Sequence, residues 1–590
     1  IRKQRGIIMA EQINLGGINT RTVIRSTFIP DKPFEHSFTC NTGDVVPAYM
    51  TINILPHDTW KFRINTMVKM QTPLHPTIGR AYQMWAAYYT PHMHVWKNWN
   101  AFQGESKNAA WVSQTTYFTP KLNITNTIKS GTFLDHIGWR IGTALVGATN
   151  LTSLKLRHYL LICDSWLRDA NYEAPLYTND PSVSVTDGVV TLTGADLWGD
   201  NAINNGDSLF GGGKLYKINR KAEYFSVVLP EPYRSPSTLT MPVGSTAPVY
   251  GKASMNDTTL LTNSSALTWV KNDLSNWTSG EYRNIGAIAG SAGTTGVTAG
   301  NSTTAPGSYV GLKIANLEAD LSNATGIPLN EFRSFVRKQQ IYELDARAGQ
   351  QTADMLYSRW GIEVDELELG RPRMLCCDQG MINLTQVPQT SATAATSPQG
   401  NLAAFGQGEL HGDWNTHSFK YHGCLTVLFW IRTEHKYQYG VPREDIQNDR
   451  FDFWHPEFDG EGDQATYKAE IWATAANVNN PTSSIWGYNE QGAHLKSFPS
   501  IVSGELRSDA ATVSNIDGTV HGTLDSWTYA DKYASEPVAS TSWMKESPEN
   551  VDRTIYIQSS AADQWLVDFA MELELTRAMH AHNIPGIDRV

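Results

Sequence analysis

Charge, cysteine and long apolar runs are all scarce in this 590-residue chain. Asp, Glu, Lys and Arg make up only 18% of it while 41% of residues are apolar, a balance too apolar for a disordered protein. The 47 basic residues are outnumbered by 58 acidic ones, a formal charge of −11, so the whole chain is not a basic nucleic-acid coat. Five scattered cysteines, whose only close pair is the vicinal Cys376–Cys377, cannot supply a disulfide framework. No apolar run approaches the roughly 18 residues that a membrane-spanning helix needs. The longest, Tyr159–Cys163 and Gly423–Ile431, have strand lengths. The segment Ile1–Ala10 carries three basic residues without a signal-peptide core. A large soluble chain with no evident export signal is expected.

What is abundant points to sheet. The 46 glycines and 27 prolines are too many for a helical bundle or coiled coil, and 19 Trp, 24 Tyr and 19 Phe suit extended strands and large contact surfaces. Strict alternation runs from Trp565 to Thr576: Trp565, Val567, Phe569, Met571, Leu573 and Leu575 are apolar, with Asp568, Glu572 and Glu574 between them. That period of two sets one strand face in a core and the other toward polar surroundings. Trp60–Asn65 alternates likewise and then loses phase at Thr66–Met70, where a bulge or strand end is expected. Tyr421–Arg432 reads as a strand covered on both faces, and Val45–Leu55, Ala81–Thr90, Leu154–Asp164 and Val551–Ile557 as further strands. Helices are the minority: Pro328–Ala348, with Asn330 as cap and Gly349 as stop, and a shorter one over Thr352–Trp360.

Two stretches differ in composition, Pro181–Gly213 and Ser235–Ser308. Asn284–Leu312 holds seven glycines and no Asp, Glu, Lys, Arg or His. Such sequence buries little apolar surface by itself and reads first as a flexible surface loop. Ordering by packing against copies of itself is the sharper alternative. Length alone suggests several domains, at roughly 150 residues each. A single sandwich enlarged by these insertions accounts for it better.

Motifs for chemistry are missing: no G-x-S-x-G elbow, no phosphate loop, no H-E-x-x-H and no C-x-x-C. No catalytic residue is expected. His92 and His94, with His75 upstream, are read as core or surface histidines rather than metal ligands. Asp459, Glu461, Asp463 and Glu470 occupy positions 1, 3, 5 and 12 of a calcium loop, but Gln464 replaces the glycine required at position 6. A solvated acidic loop is the first reading there, with calcium the alternative and no other cofactor expected. The first 25 residues carry Arg2, Lys3, Arg5, Arg21 and Arg25 against Glu11, a charge of +4 on a body of −15. Such an arm can neutralise phosphates without reading bases, or be an ordinary solvated terminus.

Several strings, in order, resemble the major capsid proteins of the Microviridae, small single-stranded DNA phages, in their gokushovirus-like branch. They are Val95-Trp96-Lys97-Asn98-Trp99-Asn100-Ala101-Phe102-Gln103-Gly104-Glu105, the segment Arg157–Asp169, Tyr224–Pro230, Tyr342–Gly349, Thr396–Gly406, Arg450-Phe451-Asp452-Phe453-Trp454-His455-Pro456, Leu524–Trp527 and Ile584-Pro585-Gly586. Asp164, Leu167 and Ala348 depart from the family pattern. The resemblance implies a mainly β fold: an eight-stranded antiparallel jelly-roll sandwich with long loop insertions and a few short helices. It implies a basic arm over 1–30 and a capsid domain over 31–590, with 181–213 and 235–308 as insertions. It further implies self-assembly into a T=1 icosahedral shell, a virion protein assembled in the host cytoplasm. In that reading residues 235–308 build a surface protrusion at the three-fold axes used in host attachment.

The implied partners are copies of itself, a single-stranded DNA genome touched by the five basic residues, minor virion proteins, and a host receptor or glycan. No membrane insertion is implied. Trp96, Trp99, Phe102, Trp454 and Trp527 are candidate interface or core anchors. A sheet-rich carbohydrate-binding protein or glycoside hydrolase is the alternative, since exposed Trp and Tyr stack on sugars.

Overall fold

The computed structural model describes residues 25–105, 118–176, 215–235, 329–349, 351–388, 390, 400, 402–458, 460, 462–513 and 518–580, with short strands between 203 and 319. The chain divides into two compact units, Tyr233–Leu344 and the remainder, Ile1–Pro232 with Asp345–Val590. The compositionally odd 235–308 falls in the former. There Asn284–Ala289 pairs antiparallel with Thr295–Gly300, so the uncharged stretch read as a loop contains a β-hairpin.

Ten strands of the larger unit form one sheet: β1 (Ser26–Phe28), β2 (Phe34–Cys40), β3 (Val46–Ile54), β4 (Thr59–Met70), β5 (Ala81–Pro91), β6 (Arg373–Pro388), β7 (Leu402–His411), β8 (Asn415–Ser418), β9 (Gly423–Thr433) and β10 (Trp565–Arg577). Eight follow one path, β1-β10-β4-β7-β6-β5-β9-β3, while β8 also pairs with β4 and β2 with β10. All pairings are antiparallel. The sheet curls into a half-barrel, and the fold is mainly β and jelly-roll-like. Strands from the first 91 residues interleave with strands from 373–433 and with the last strand. Loop-closure entropy grows only logarithmically with length, so large insertions between such strands cost little extra.

The alternation read over 565–576 is the buried face of β10. Trp565, Val567, Phe569 and Met571 are buried, and opposite them in register lie Met70, Val68, Thr66 and Ile64 of β4. Each large apolar side chain so buried contributes about 1.5–3 kcal/mol. The outward face is zipped by cross-strand ion pairs, Arg63 with Glu572 at 2.6 Å and Lys61 with Glu574 at 2.9 Å. Both cations also lie over Trp414. β9 is buried on both faces between β5 and β3, as expected for its continuous apolar run.

Three expectations are corrected. β4 does not break at Thr66: even positions from Trp60 to Met70 stay buried, because Thr66 takes the core position and donates its hydroxyl to Gln83 Oε1 at 2.9 Å. Leu154–Asp164 is no strand. Leu154–Ile162 is a helix, α1, packed over β3 and β9, followed by a π-helical turn at Cys163–Leu167. Almost every residue of α1 is buried, so no polar stripe marked its period, and a short apolar run does not distinguish strand from buried helix. Val551–Ile557 is not a strand either. A helical turn spans Glu549–Asp552, and Val551, Thr554 and Ile555 are buried from a turn.

The two longer helices form, but Asn330 lies inside the first and does not cap it. α2 spans Leu329–Arg347, beginning one residue before Asn330, and α3 spans Thr352–Trp360. Gly349 has φ +93°, and a Cβ there would stand 2.7 Å from Asp354 Oδ2, so the stop between the helices requires glycine.

Candidate assembly surface

The expected anchor residues divide between core and surface. Trp96 is fully buried and packs with Val95, Leu154 and Leu161. Trp99 is half-buried and Phe102 exposed, their rings 5.6 Å apart and both edging Trp96. Trp454 is exposed, whereas Trp527 is half-buried and stacks on His75 with ring centroids 4.8 Å apart. Of the five basic residues, Arg25 donates to His57 Nδ1 at 2.8 Å beside β1. Arg2, Lys3, Arg5 and Arg21 lie outside the described residues.

Asp463 and Glu470 are engaged with protein groups. Asp463 pairs with Arg347. Glu470 accepts from Tyr224 Oη at 2.8 Å, from the Tyr467 amide at 2.9 Å and from Arg443 at 3.3 Å. Asp459 and Glu461 lie outside the described residues. Among the described residues no group of three or more His, Cys, Asp or Glu is disposed to hold a metal.

A buried ionic cluster is built from distant parts of the chain. His435 Nδ1 faces Asp531 Oδ1 at 3.1 Å and its Nε2 faces Glu546 Oε2 at 3.0 Å. Arg220 donates to the other oxygen of Asp531 at 2.6 Å, and Thr433 donates through amide and hydroxyl to Glu546. Burial opposes every charge here. The carboxylates outweigh it at His435, whose pKa is pushed up to about 10, with Asp531 the larger contributor. Against the same burial, Arg220 and His435 hold the Asp531 carboxyl far below its ordinary range, and His435 lowers Glu546. All three are fixed in charged form near neutrality, which suits joining segments and not passing protons.

Sequence reading missed two of the most exposed apolar residues among those described. The segment 493–502 forms a strap: a helical turn at Ala493–Lys496, then Ser497 to Val502. The Tyr437 amide donates to Ser500 O at 2.8 Å and the Val502 amide donates to Tyr437 O at 3.0 Å. These bonds flank Ile501 and hold it outward, 72% exposed, while Phe498 is 88% exposed. Between strap and body runs a groove of about 490 Å³, floored by Tyr224, Phe225 and Tyr437, with Val441 and Pro442 opposite Leu495, Phe498 and Ile501. Gly440 makes the floor possible. A Cβ there would stand 1.8 Å from Glu470 O, so only glycine lets the two segments close to this distance. Trp454, exposed, packs against Gly492, just before the strap. No period marks these side chains, since Ser497, Pro499 and Ser500 separate them.

A curled antiparallel sheet with large insertions and an exposed apolar rim fits a protein whose surface is made to be covered. The comparisons agree. The family described as "Capsid protein (F protein)" matches residues 17–587. The chain is 28% identical to the capsid protein VP1 of Spiroplasma virus 4, over 93% of each chain. It is 25% identical to that of Chlamydia phage 1 over 97% of each, and 27% identical to that of Bdellovibrio phage phiMH2K over 95% of each. The chain belongs to the F-protein family of capsid proteins, that of the Microviridae.

Proposed function

We propose that the chain is a structural, non-enzymatic protein that assembles with copies of itself into a closed T=1 icosahedral shell around a single-stranded DNA genome. The observation that carries this is the family match over residues 17–587, supported by capsid relatives aligned along nearly their whole length. Burial of aromatic and aliphatic surface at symmetric contacts drives the assembly. Arg2, Lys3, Arg5, Arg21 and Arg25 face inward and neutralise phosphate, and residues 235–308 form the outer protrusion that meets a host receptor or glycan. Minor virion proteins join the same shell, which forms in the host cytoplasm. The glycoside-hydrolase reading is not favoured, because these relatives are capsid proteins along nearly the whole chain.

Two measurements test it. The purified chain, examined by sedimentation and negative-stain microscopy, is expected to form closed particles, and a persistent monomer overturns the reading. Neutralising all five basic residues is expected to lower the nuclease-protected DNA per particle more than the yield of shells. Unchanged DNA content removes the role given to the arm.

A further inference from the structure

We propose that the groove between the 493–502 strap and Tyr437–Pro442 is a docking site for a second copy of this chain, a heterologous contact buried in the assembled state. The inference rests on the assembly reading above and names a surface that serves it.

Three observations carry it. The first is area. Leu495, Phe498 and Ile501 of the lining together expose on the order of 400 Å², at ~200 Å² for a large residue. The largest apolar patch of an ordinary monomer is about 300–600 Å², and a standard protein interface takes about 800 Å² per partner. The patch is thus of the size of a monomer's largest apolar patch, which is often a contact site, and supplies about half of one side of an interface. The second is rigidity. The strap is pinned by two backbone hydrogen bonds to Tyr437, so Phe498 and Ile501 stay exposed without collapsing onto the floor. A surface held apolar in this way is organised for a partner. The third is charge. The ionic pair Arg443–Glu470 in the lining is matched at 3.3 Å, and Glu444 and His494 also line the groove, so an apolar element that brings no further carboxylate fits it. A capsid protein meets copies of itself at the highest concentration of any partner. A closed shell also requires heterologous contacts, since a self-complementary patch alone yields only dimers. A groove receiving a convex apolar element from a neighbour is such a contact.

The test uses the full chain. Phe498→Glu with Ile501→Glu replaces two exposed side chains and is expected to leave circular dichroism and thermal midpoint unchanged. The yield of closed particles is expected to fall at least tenfold. Folded variant chains that assemble at the wild-type yield overturn the proposal. Should the double variant fail to fold, Phe498→Cys is labelled with a maleimide and read by peptide mass. Labelling at 498 is expected to be at least tenfold slower in particles than in chains released from them. Equal labelling overturns the proposal, leaving a small molecule or another protein as the groove's occupant. A wild-type chain that forms no particles removes the assembly reading itself, whereas particles with an open groove remove only this contact.

Discussion

His435 and Asp531 lie 3.1 Å apart in a fully buried site, with Glu546 3.0 Å from the opposite ring nitrogen. Carboxylates only accept, and one at each ring nitrogen favours the imidazole cation against the opposing Arg220 guanidinium, 3.2 Å from Nδ1. The cluster joins the chain just past β9 to Arg220, 215 residues before His435, and to Asp531 and Glu546, 96 and 111 residues after it.

Removing His435 takes from the buried Glu546 its ion-pair partner, while Asp531 keeps Arg220 at 2.6 Å. His435→Gln is expected to cost about 3–5 kcal/mol, the range for breaking a buried ion pair. Its pH dependence follows from the raised pKa. The folded value of about 10 exceeds the ordinary 6.5, so the stabilisation is fully present below pH 6.5 and is lost as pH rises toward 10. Urea titrations of both chains should give a stability difference that is largest near pH 6 and shrinks by pH 9.5. A difference independent of pH refutes the cationic assignment.

The opposite sign holds at His92 and His158. His92 Nε2 lies 2.9 Å from Ile52 O and must donate to it, so Nδ1 accepts from His158 Nε2 at 2.8 Å. His158 Nδ1 is then a buried lone pair with no partner, and a proton there would have no acceptor. Burial lowers His92 to about 4 and holds His158 well below its ordinary value, the neighbouring His92 adding to the latter. Unfolding releases both to titrate normally, so stability present above pH 6.5 is lost as pH falls, by up to about 2 kcal/mol per histidine at pH 5. His158→Asn is expected to lower stability at pH 7 but to shrink the fall between pH 7 and pH 5. An equal fall in wild type and variant places the acid lability elsewhere.

Legibility in sequence followed the asymmetry of each element's surroundings. β10 was readable from Trp565 to Thr576 because one face meets the core and the other meets Arg63 and Lys61. α1 was not, because burial on every side erased the polar stripe that a helical period needs. The His435 cluster draws on Arg220, Thr433, Asp531 and Glu546, a spacing that acquires meaning only once the fold assembles it. Phe498 and Ile501 left no pattern because an outward residue on a pinned strap follows no repeat. The resemblance through Val95–Glu105 and Arg450–Pro456 reached the family while leaving unassigned which aromatics are core, and the division came out with Trp96 inside and Trp454 outside.

Thr66 is the one polar residue in the buried row of β4, and its hydroxyl answers Gln83 Oε1 in the neighbouring core. Thr66→Val would improve the apolar row yet strip a buried acceptor, and a net loss of about 1–3 kcal/mol is expected. Thr66→Val with Gln83→Leu removes both partners and should recover most of that loss. A double-mutant cycle in urea reads the coupling, and additive effects would show the hydrogen bond contributes nothing.

Gly440 supports the groove through a contact no other residue permits. Its Cβ position lies 1.8 Å from Glu470 O and 2.5 Å from the carbonyl carbon, both backbone atoms that cannot swing aside. Gly440→Ala must push Tyr437–Arg443 away from the Lys468–Glu470 turn. That breaks the bonds from the Val441 amide to Ala469 O and from the Ala473 amide to Tyr439 O, and unseats Arg443 from Glu470. A destabilisation of more than about 3 kcal/mol is expected, in the range reserved for backbone overpacking. Native-state hydrogen exchange should lose protection first at Val441, Ala473 and Val502, while β4 and β10 keep theirs. Uniform loss across the sheet would instead tie this corner to the global stability of the fold.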